Sequence, residues 1–447
     1  MNLKLTPTKL KGSITPPPSK SQAHRLIIAA ALAEGQSVIS NVAFSQDIEA
    51  TLNCMKSLGA QVAVDGSTLT VTGIGSRRLI DAPAPHLDCG ESGSTLRFLI
   101  PVALALAGQS CFTGRGRLME RPQKPYFDLF DEKGITYEQK GGVLSAKGTL
   151  TSGEYKLPGD VSSQFVTGLL YTLPLLEGDS VIEITTKLES LDYVAMTLDA
   201  LKQFGIQVKN ENWHTFRIPG GQTYHPQNLA VEADWSQAGF WYAAQGIGND
   251  IEITGMNPKS IQGDRIMDNW ARMMRNERPK GGVTIPIYAQ CEGEVPPTPV
   301  EMPVNSGYSV SLDVSHSPDL VPPLAAWGAL MRDAQGQLGD LYIKNAARLR
   351  IKESDRLATV TEVLNALGAK VIEGEDNLII EGQPSLPGGV TVSAHNDHRI
   401  AMMAAIAATC CEQPIVITGA QCVAKSYPNF WEEYVRLGGI IEEVPKQ

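Results

Sequence analysis

Along the chain, an apolar helical run repeatedly ends at a glycine and gives way to a short strand of alternating residues, a turn and a second strand. The phrase reads SLGAQVAVDGSTLTVTG from Ser57, DEKGITYEQKGGVLSAKG from Asp131, KQFGIQVKNENWHTFRI from Lys202, NALGAKVIEGEDNLIIEG from Asn365 and RLGGIIEEV from Arg436. Its pivots, Gly59, Gly134, Gly205, Gly368 and Gly438, recur roughly every 70 residues, with one gap about twice as long. The long gap predicts a unit whose phrase has diverged, near DNWARMMRNERPKGGVTI between Asp268 and Ile285. Six units of strands and helices predict an α/β protein built by internal duplication. The glycines fall where a helix stops and the next residue must turn left-handed, which glycine does without steric cost.

Composition narrows the class. A chain of 447 residues is long enough for two or three domains, and 43% hydrophobic with 19% charged residues is a globular balance. The longest apolar runs, around 98–107 and 400–411, are shorter than the roughly 18 residues of a membrane span and read as core helices. The start, MNLKLTPTKL, lacks the pattern of a secretory or transit leader, so the expected location is the cytoplasm, with no membrane partner. Seven scattered cysteines without a CxxC pair read as reduced packing residues. A net charge of −10 argues against nucleic acid as a partner but leaves room for anionic small molecules, because local Lys and Arg set the field in a cleft. PPPSK near the start and VPPTPVEMPVN after Glu294 read as a hinge and an irregular loop.

Several segments place small polar residues, then a basic residue, at the start of an apolar helical run. A helix N-terminus carries partial positive charge and normally favours Asp or Glu by about 0.3–1 kcal/mol, so a cation there is better explained by an anion that binds beside it. In PPPSKSQAHRLIIAAALAEG, Ser19 and Gln22 have capping-box spacing, Lys20 and Arg25 lie near the helix start and Gly35 ends it. DCGESGSTLRFLIP offers Gly90, Ser92, Gly93, Ser94 and Thr95 as a loop whose N–H groups suit a phosphate or carboxylate, with Arg97 just inside. Glu91 would oppose such an anion, and Pro101 is expected to kink the helix.

LPGDVSSQFVTG puts Ser162, Ser163 and Gln164 at a helix start, as caps or as donors to a sugar phosphate. In HNDHRIAMMAAIAATCC, Asn396 or Asp397 caps a helix with Arg399 in its first turn; His395 and His398 have ligand spacing, but a third ligand is missing, so no metal is expected. RIKESDRLATVTEVL crowds Lys352, Glu353, Asp355 and Arg356 at one helix entrance beside Ser354, read as its cap. Cations there favour ionised Glu353, so proton donation from it needs a negatively charged substrate to raise its pKa. Arg121 in MERPQKP and Lys425 in AKSYPNF complete the basic set.

Taken in order, PSKSQAHR, GESGSTLR, ERP, DVSSQF, SPDL, KESDRL, NDHR and AKSYP resemble the 5-enolpyruvylshikimate-3-phosphate synthase family of enolpyruvyl transferases, over nearly the whole chain. The resemblance implies two similar α/β domains of three βαβαββ units each, an inside-out barrel with its active site in the interdomain cleft. The domains would be 1–18 with 229–447, and 19–228. It implies transfer of the enolpyruvyl group of phosphoenolpyruvate to the 5-hydroxyl of shikimate 3-phosphate, without metal or organic cofactor, by a monomer. Lys20, Ser21, Arg25, Ser162, Ser163, Ser190, Tyr193, Asp319 and Lys352 would then meet shikimate 3-phosphate. Lys20, Gly93, Arg121, Gln164, Arg356, Arg399 and Lys425 would meet phosphoenolpyruvate. Asp319, Glu353 and Lys20 would share the proton transfers. The alternatives are the enolpyruvyl transferase acting on UDP-N-acetylglucosamine, which SSQ together with KSxxxR disfavours, and an anion-binding relative without turnover.

Overall fold

The glycine-punctuated phrases resolve into outer helices and their hairpins. The computed structural model describes residues 1–75, 77, 79, 83–275 and 308–445 of the chain. It divides into two compact units, one of Met1–Pro17 with Ala233–Gln447 and the other of Pro18–Glu232. The second contains helices α1 (Lys20–Leu32), α2 (Gln46–Ser57), α3 (Gly93–Ala107), α4 (Lys124–Lys133), α5 (Ser163–Thr172) and α6 (Leu191–Gln203). The first contains α7 (Trp235–Gly246), α8 (Met267–Met274) and helices Val321–Gly328, Arg356–Ala366, His398–Ala408 and Phe430–Arg436.

The helices alternate between two kinds. α1, α3, α5, α7, Val321–Gly328 and His398–Ala408 are buried almost all round, so their sequences are nearly continuous in Ala, Leu, Ile and other apolar residues. Each large aliphatic chain buried in this way, such as Leu26, Ile27 and Ile28, contributes about 1.5–3 kcal/mol. α2, α4, α6, α8, Arg356–Ala366 and Phe430–Arg436 bury one stripe only, as Ile48, Leu52 and Met55 do on α2. The inner helices pack on one another within each unit, α3 on α5, and α7, Val321–Gly328 and His398–Ala408 mutually. Gly59, Gly134, Gly205, Gly368 and Gly438 follow outer helices, all with φ between 68° and 102°.

The sheets repeat one rule. Asn228–Ala230, Gln36–Ser40, Thr68–Thr72 and Gln61–Asp65 pair in that order, first parallel and then twice antiparallel. The same order of pairings joins His86–Asp88, Gln109–Thr113, Val143–Lys147 and Thr136–Lys140. It joins Gly153–Leu157, Ser180–Ile184, Thr215–Ile218 and Lys209–Glu211, and again Ser309–Asp313, Asp340–Lys344, Leu378–Glu381 and Lys370–Glu373. The last four-stranded sheet closes the chain on itself. Thr391–Ser393 pairs parallel with Ile415–Thr418, which pairs antiparallel with Asn2–Thr6, and Ile440–Val444 pairs antiparallel with that N-terminal strand. The phrase at Arg436 is therefore completed by the first residues of the chain rather than by a hairpin.

Of the expected divergent unit, Asp268–Arg275 belongs to α8 and its end; the rest, with the loop after Glu294 and Cys291, lies outside the described residues. Among the described residues no helix is long and apolar enough to cross a membrane.

Candidate functional site

In the Pro18–Glu232 unit, helix starts gather the expected residues. Ser19 caps α1, its Oγ accepting from Gln22 N at 3.4 Å. The capping box is only half made: Gln22 Oε1 accepts from Glu232 N (2.7 Å), and Ser19 N donates to Glu232 O (2.7 Å). The backbone of Glu232 thus takes the arm that the spacing assigned to the cap. Lys20 opens the helix, and its Nζ lies 2.8 Å from Asp47 Oδ2 on α2. Arg25 is buried; Nε donates to Thr197 Oγ1 (3.0 Å), Nη1 to Ser21 O (2.7 Å) and Nη2 to Tyr193 O (2.9 Å), with Phe98 and Tyr193 rings beside the guanidinium. Ser162 caps α5, accepting from Gln164 N at 3.3 Å, and Ser163 is its first residue. Ser190, which precedes α6, is held left-handed at φ 53°, a costly conformation for a residue with a Cβ. Tyr193 follows in the first turn of α6.

Gly93, Arg121 and Gln164 come together. A Cβ on Gly93 would lie 2.8 Å from Arg121 Nη1 and 3.6 Å from Gln164 Oε1. Arg97 orients this group: Nη1 donates to Gln164 Oε1 (2.8 Å), Nη2 to Pro122 O (3.1 Å), and its guanidinium lies 4.9 Å from the Phe165 ring centre. Gln164 Nε2 donates to Ser94 Oγ at 3.1 Å. Glu91, expected to oppose an anion, packs its carboxylate against the Gly116 turn. Helices α1, α3 and α5 have serine caps and no acid in the first turn, so the helix ends are answered by neutral hydroxyls.

In the other unit the charges are already paired. Asp319 Oδ1 accepts from Arg356 Nη1 (2.8 Å) and Lys352 Nζ (3.3 Å), and Oδ2 from Arg399 Nη2 (3.3 Å). Arg356, almost wholly buried, also donates to Glu353 Oε2 (2.6 Å) and Asp397 Oδ2 (2.8 Å). Arg399 Nη2 donates to Ser236 Oγ (2.6 Å), and Lys425 Nζ to Asn396 O (2.6 Å). Burial alone would raise the Asp319 pKa; Arg399, Lys352 and Arg356 overcome it and hold the carboxyl well below its usual value. Burial lowers the Lys352 pKa.

One expectation changes here, and one alternative is resolved. Ser354 does not cap Arg356–Ala366; Asp355 does, accepting from Ala358 N at 3.2 Å, while Ser354 Oγ donates to Asp397 Oδ2 at 3.0 Å. Lys352 and Glu353 accordingly precede the helix, and only Arg356 sits in its first turn. Asp397, not Asn396, caps His398–Ala408. The aspartates answer these helix ends, so in this unit the basic residues have built-in counter-ions. Asp47 and Ser236 escaped sequence reading: Asp47 follows a Ser cap like any first-turn acid, and Ser236 lies in the buried α7. His395 Nε2 lies 3.2 Å from Glu362, and among the described residues no group of acids, His or Cys is placed to hold a metal.

Repeated α/β units form two compact bodies, one setting cations beside serine-capped helix starts and the other pairing them with aspartates, a class of arrangement suited to small polyanions. A sequence profile of EPSP synthase (3-phosphoshikimate 1-carboxyvinyltransferase) matches residues 5–434, and the chain belongs to that family. It is 46% identical over 441 residues to the 3-phosphoshikimate 1-carboxyvinyltransferase of Clostridium kluyveri, covering 98% of each chain. To that of Clostridium beijerinckii it is 44% identical, over 99% of this chain and 98% of the other. The EPSP synthase structure from Acinetobacter baumannii superposes with a TM-score of 0.75 at 25% identity, over 100% of both chains.

Proposed function

We propose that this chain transfers the enolpyruvyl group of phosphoenolpyruvate to the 5-hydroxyl of shikimate 3-phosphate and releases inorganic phosphate, supplying aromatic amino-acid biosynthesis. The observation that carries the reading, beyond family membership, is Asp319 held by Lys352, Arg356 and Arg399, with Glu353 on the same guanidinium.

Asp319 takes the proton of the attacking hydroxyl while the hydroxyl oxygen bonds to C2 of phosphoenolpyruvate, and Glu353, entering as the carboxylic acid once the anionic substrates are bound, gives its proton to C3, so that a tetrahedral ketal forms. Glu353, left as a carboxylate, takes a proton back from the new methyl group as the C2–O bond to phosphate breaks and the double bond returns, and Asp319 gives its proton to the departing phosphate. Lys20 shares in these proton movements. The low pKa of Asp319 suits its resting state: incoming phosphate and carboxylate groups compete for its three cations, loosen their hold and make it a better base. Shikimate 3-phosphate engages Lys20, Ser21, Arg25, Ser162, Ser163, Ser190, Tyr193 and Lys352. Phosphoenolpyruvate engages Lys20, Gly93, Arg121, Gln164, Arg356, Arg399 and Lys425. Arginine forks suit bidentate contact with the phosphate and carboxylate groups of these substrates. The enzyme works as a cytoplasmic monomer, and light scattering checks the oligomeric state.

The test is phosphate release from phosphoenolpyruvate with each acceptor in turn. Release with shikimate 3-phosphate is expected; release only with UDP-N-acetylglucosamine, or with neither, overturns the reading.

A further inference from the structure

Inside the Pro18–Glu232 unit, a buried file of side chains links three helices. His24 Nδ1 on α1 lies 2.7 Å from Thr51 Oγ1 on α2, Thr51 Oγ1 lies 2.7 Å from Thr95 Oγ1 on α3, and Thr95 Oγ1 donates to Ser92 Oγ at 2.7 Å. All four residues are 0% exposed. Ser92 is the cap of α3, and its Oγ also accepts from Thr95 N at 3.1 Å.

The direction of the file follows from its end. Thr95 spends its hydroxyl proton on Ser92, so it accepts from Thr51, and Thr51 in turn accepts from an N–H on Nδ1 of His24. Nε2 then carries the lone pair, and it meets no hydrogen-bond partner among the described residues. Burial, with Lys20 and Arg25 adding to it, keeps the ring neutral. Lys20 stands one turn before His24 on α1, and its Nζ is tied to Asp47 of α2. Gly93 and Ser94 follow Ser92 directly. The file thus fixes the start of α3 against the helix that carries Lys20.

We propose that His24 is a positioning residue for phosphoenolpyruvate: through Thr51, Thr95 and Ser92 it holds Gly93 and Ser94 in register with Lys20. The inference rests on the reading that Lys20 and Gly93 meet phosphoenolpyruvate. Shikimate 3-phosphate depends instead on α1 with α5 and α6, and Arg25 is tied to α6 independently of the file through Thr197 and Tyr193. Misplacing one set of contacts by a fraction of an ångström should therefore weaken one substrate and spare the other.

Steady-state kinetics of the full chain test this, with melting temperature recorded for each variant. His24→Leu and Thr51→Val are expected to raise KM for phosphoenolpyruvate by about 10-fold and to leave KM for shikimate 3-phosphate within about 2-fold. His24→Asn, whose amide nitrogen takes the place of Nδ1, should restore it, whereas His24→Gln, which places its amide at the Nε2 position, should not. Equal losses for both substrates, an Asn variant no better than Leu, or unchanged kinetics in His24→Leu and Thr51→Val would overturn the positioning role while wild-type turnover stands. Absence of phosphate release by the wild type would instead bring down the functional reading on which it rests.

Discussion

Two residues separate chemistry from binding. Glu353 touches the Arg356 guanidinium at 2.6 Å, and an amide in its place keeps the shape but lacks the carboxyl proton that the proposed mechanism delivers to C3. Glu353→Gln is therefore expected to hold shikimate 3-phosphate affinity within a few-fold while turnover falls by roughly 100-fold. Calorimetry beside a phosphate-release assay reads the two quantities apart, and full turnover in the variant removes Glu353 from the proton path. Gly93 makes the complementary case. A methyl group there would stand 2.8 Å from Arg121 Nη1, closer than a carbon and a nitrogen approach without a bond, so Arg121 must move. Gly93→Ala should raise KM for phosphoenolpyruvate by about 10-fold or more with little change for shikimate 3-phosphate, which initial-rate kinetics with each substrate varied will show.

At the scale of elements, α3 shows how a local rule is offset by a partner far away in sequence. The expected place of a kink is Pro101, and α3 continues through it from Gly93 to Ala107. Proline lacks the N–H that would bond the carbonyl four residues back, that of Arg97. Tyr126 Oη on α4 stands in, 2.8 Å from Arg97 O and 2.9 Å from Phe165 O. Tyr126→Phe leaves the buried Arg97 carbonyl without that donor, so about 1–3 kcal/mol of stability should be lost, measured as an earlier urea midpoint with unchanged slope. The same contrast explains what the chain reveals when read alone. Gly59 or Gly368 announces itself because the left-handed turn after a helix is a local demand. Ser354 was misread because its partner, Asp397, comes from another helix; without that partner it looks like a cap. Asp47 was invisible for the same reason, since its pairing with Lys20 crosses from α2 to α1. The N-terminal strand Asn2–Thr6, which completes the sheet of Ile440–Val444, is a pairing across the whole chain that no local pattern encodes.

At the scale of the molecule, acid should loosen the two units in two different pH windows. His24, in the Pro18–Glu232 unit, is kept neutral by burial and by Lys20 and Arg25, the carboxylate of Asp47 being engaged by Lys20, so its folded pKa lies well below the ordinary value near 6.5. Above about 6.5 neither state binds a proton at this ring, and stability does not depend on it; as pH falls below about 6.5 the unfolded chain takes a proton the folded one refuses, and stability declines. Asp319 and Asp397 belong to the other unit, and their carboxyls are also held low, burial being outweighed by Arg399, Lys352 and Arg356 for Asp319 and by Arg356 with His398 for Asp397. Their contribution is present above the unfolded carboxyl pKa of about 3.9 and is lost as pH falls through their folded values. The first window should thus weaken the unit of His24 and the second the unit of Asp319. Trp213 is the one tryptophan within 18–232, whereas buried Trp241 and Trp327 lie in the other unit. Urea unfolding followed by tryptophan fluorescence should therefore stay nearly level between about pH 6.5 and 4.5, while far-ultraviolet dichroism already shows an earlier transition. His24→Asn should remove that early dichroism decline and leave the fluorescence profile alone; a fluorescence midpoint that falls in step with dichroism from pH 6.5 downward would show that the two units do not lose stability separately.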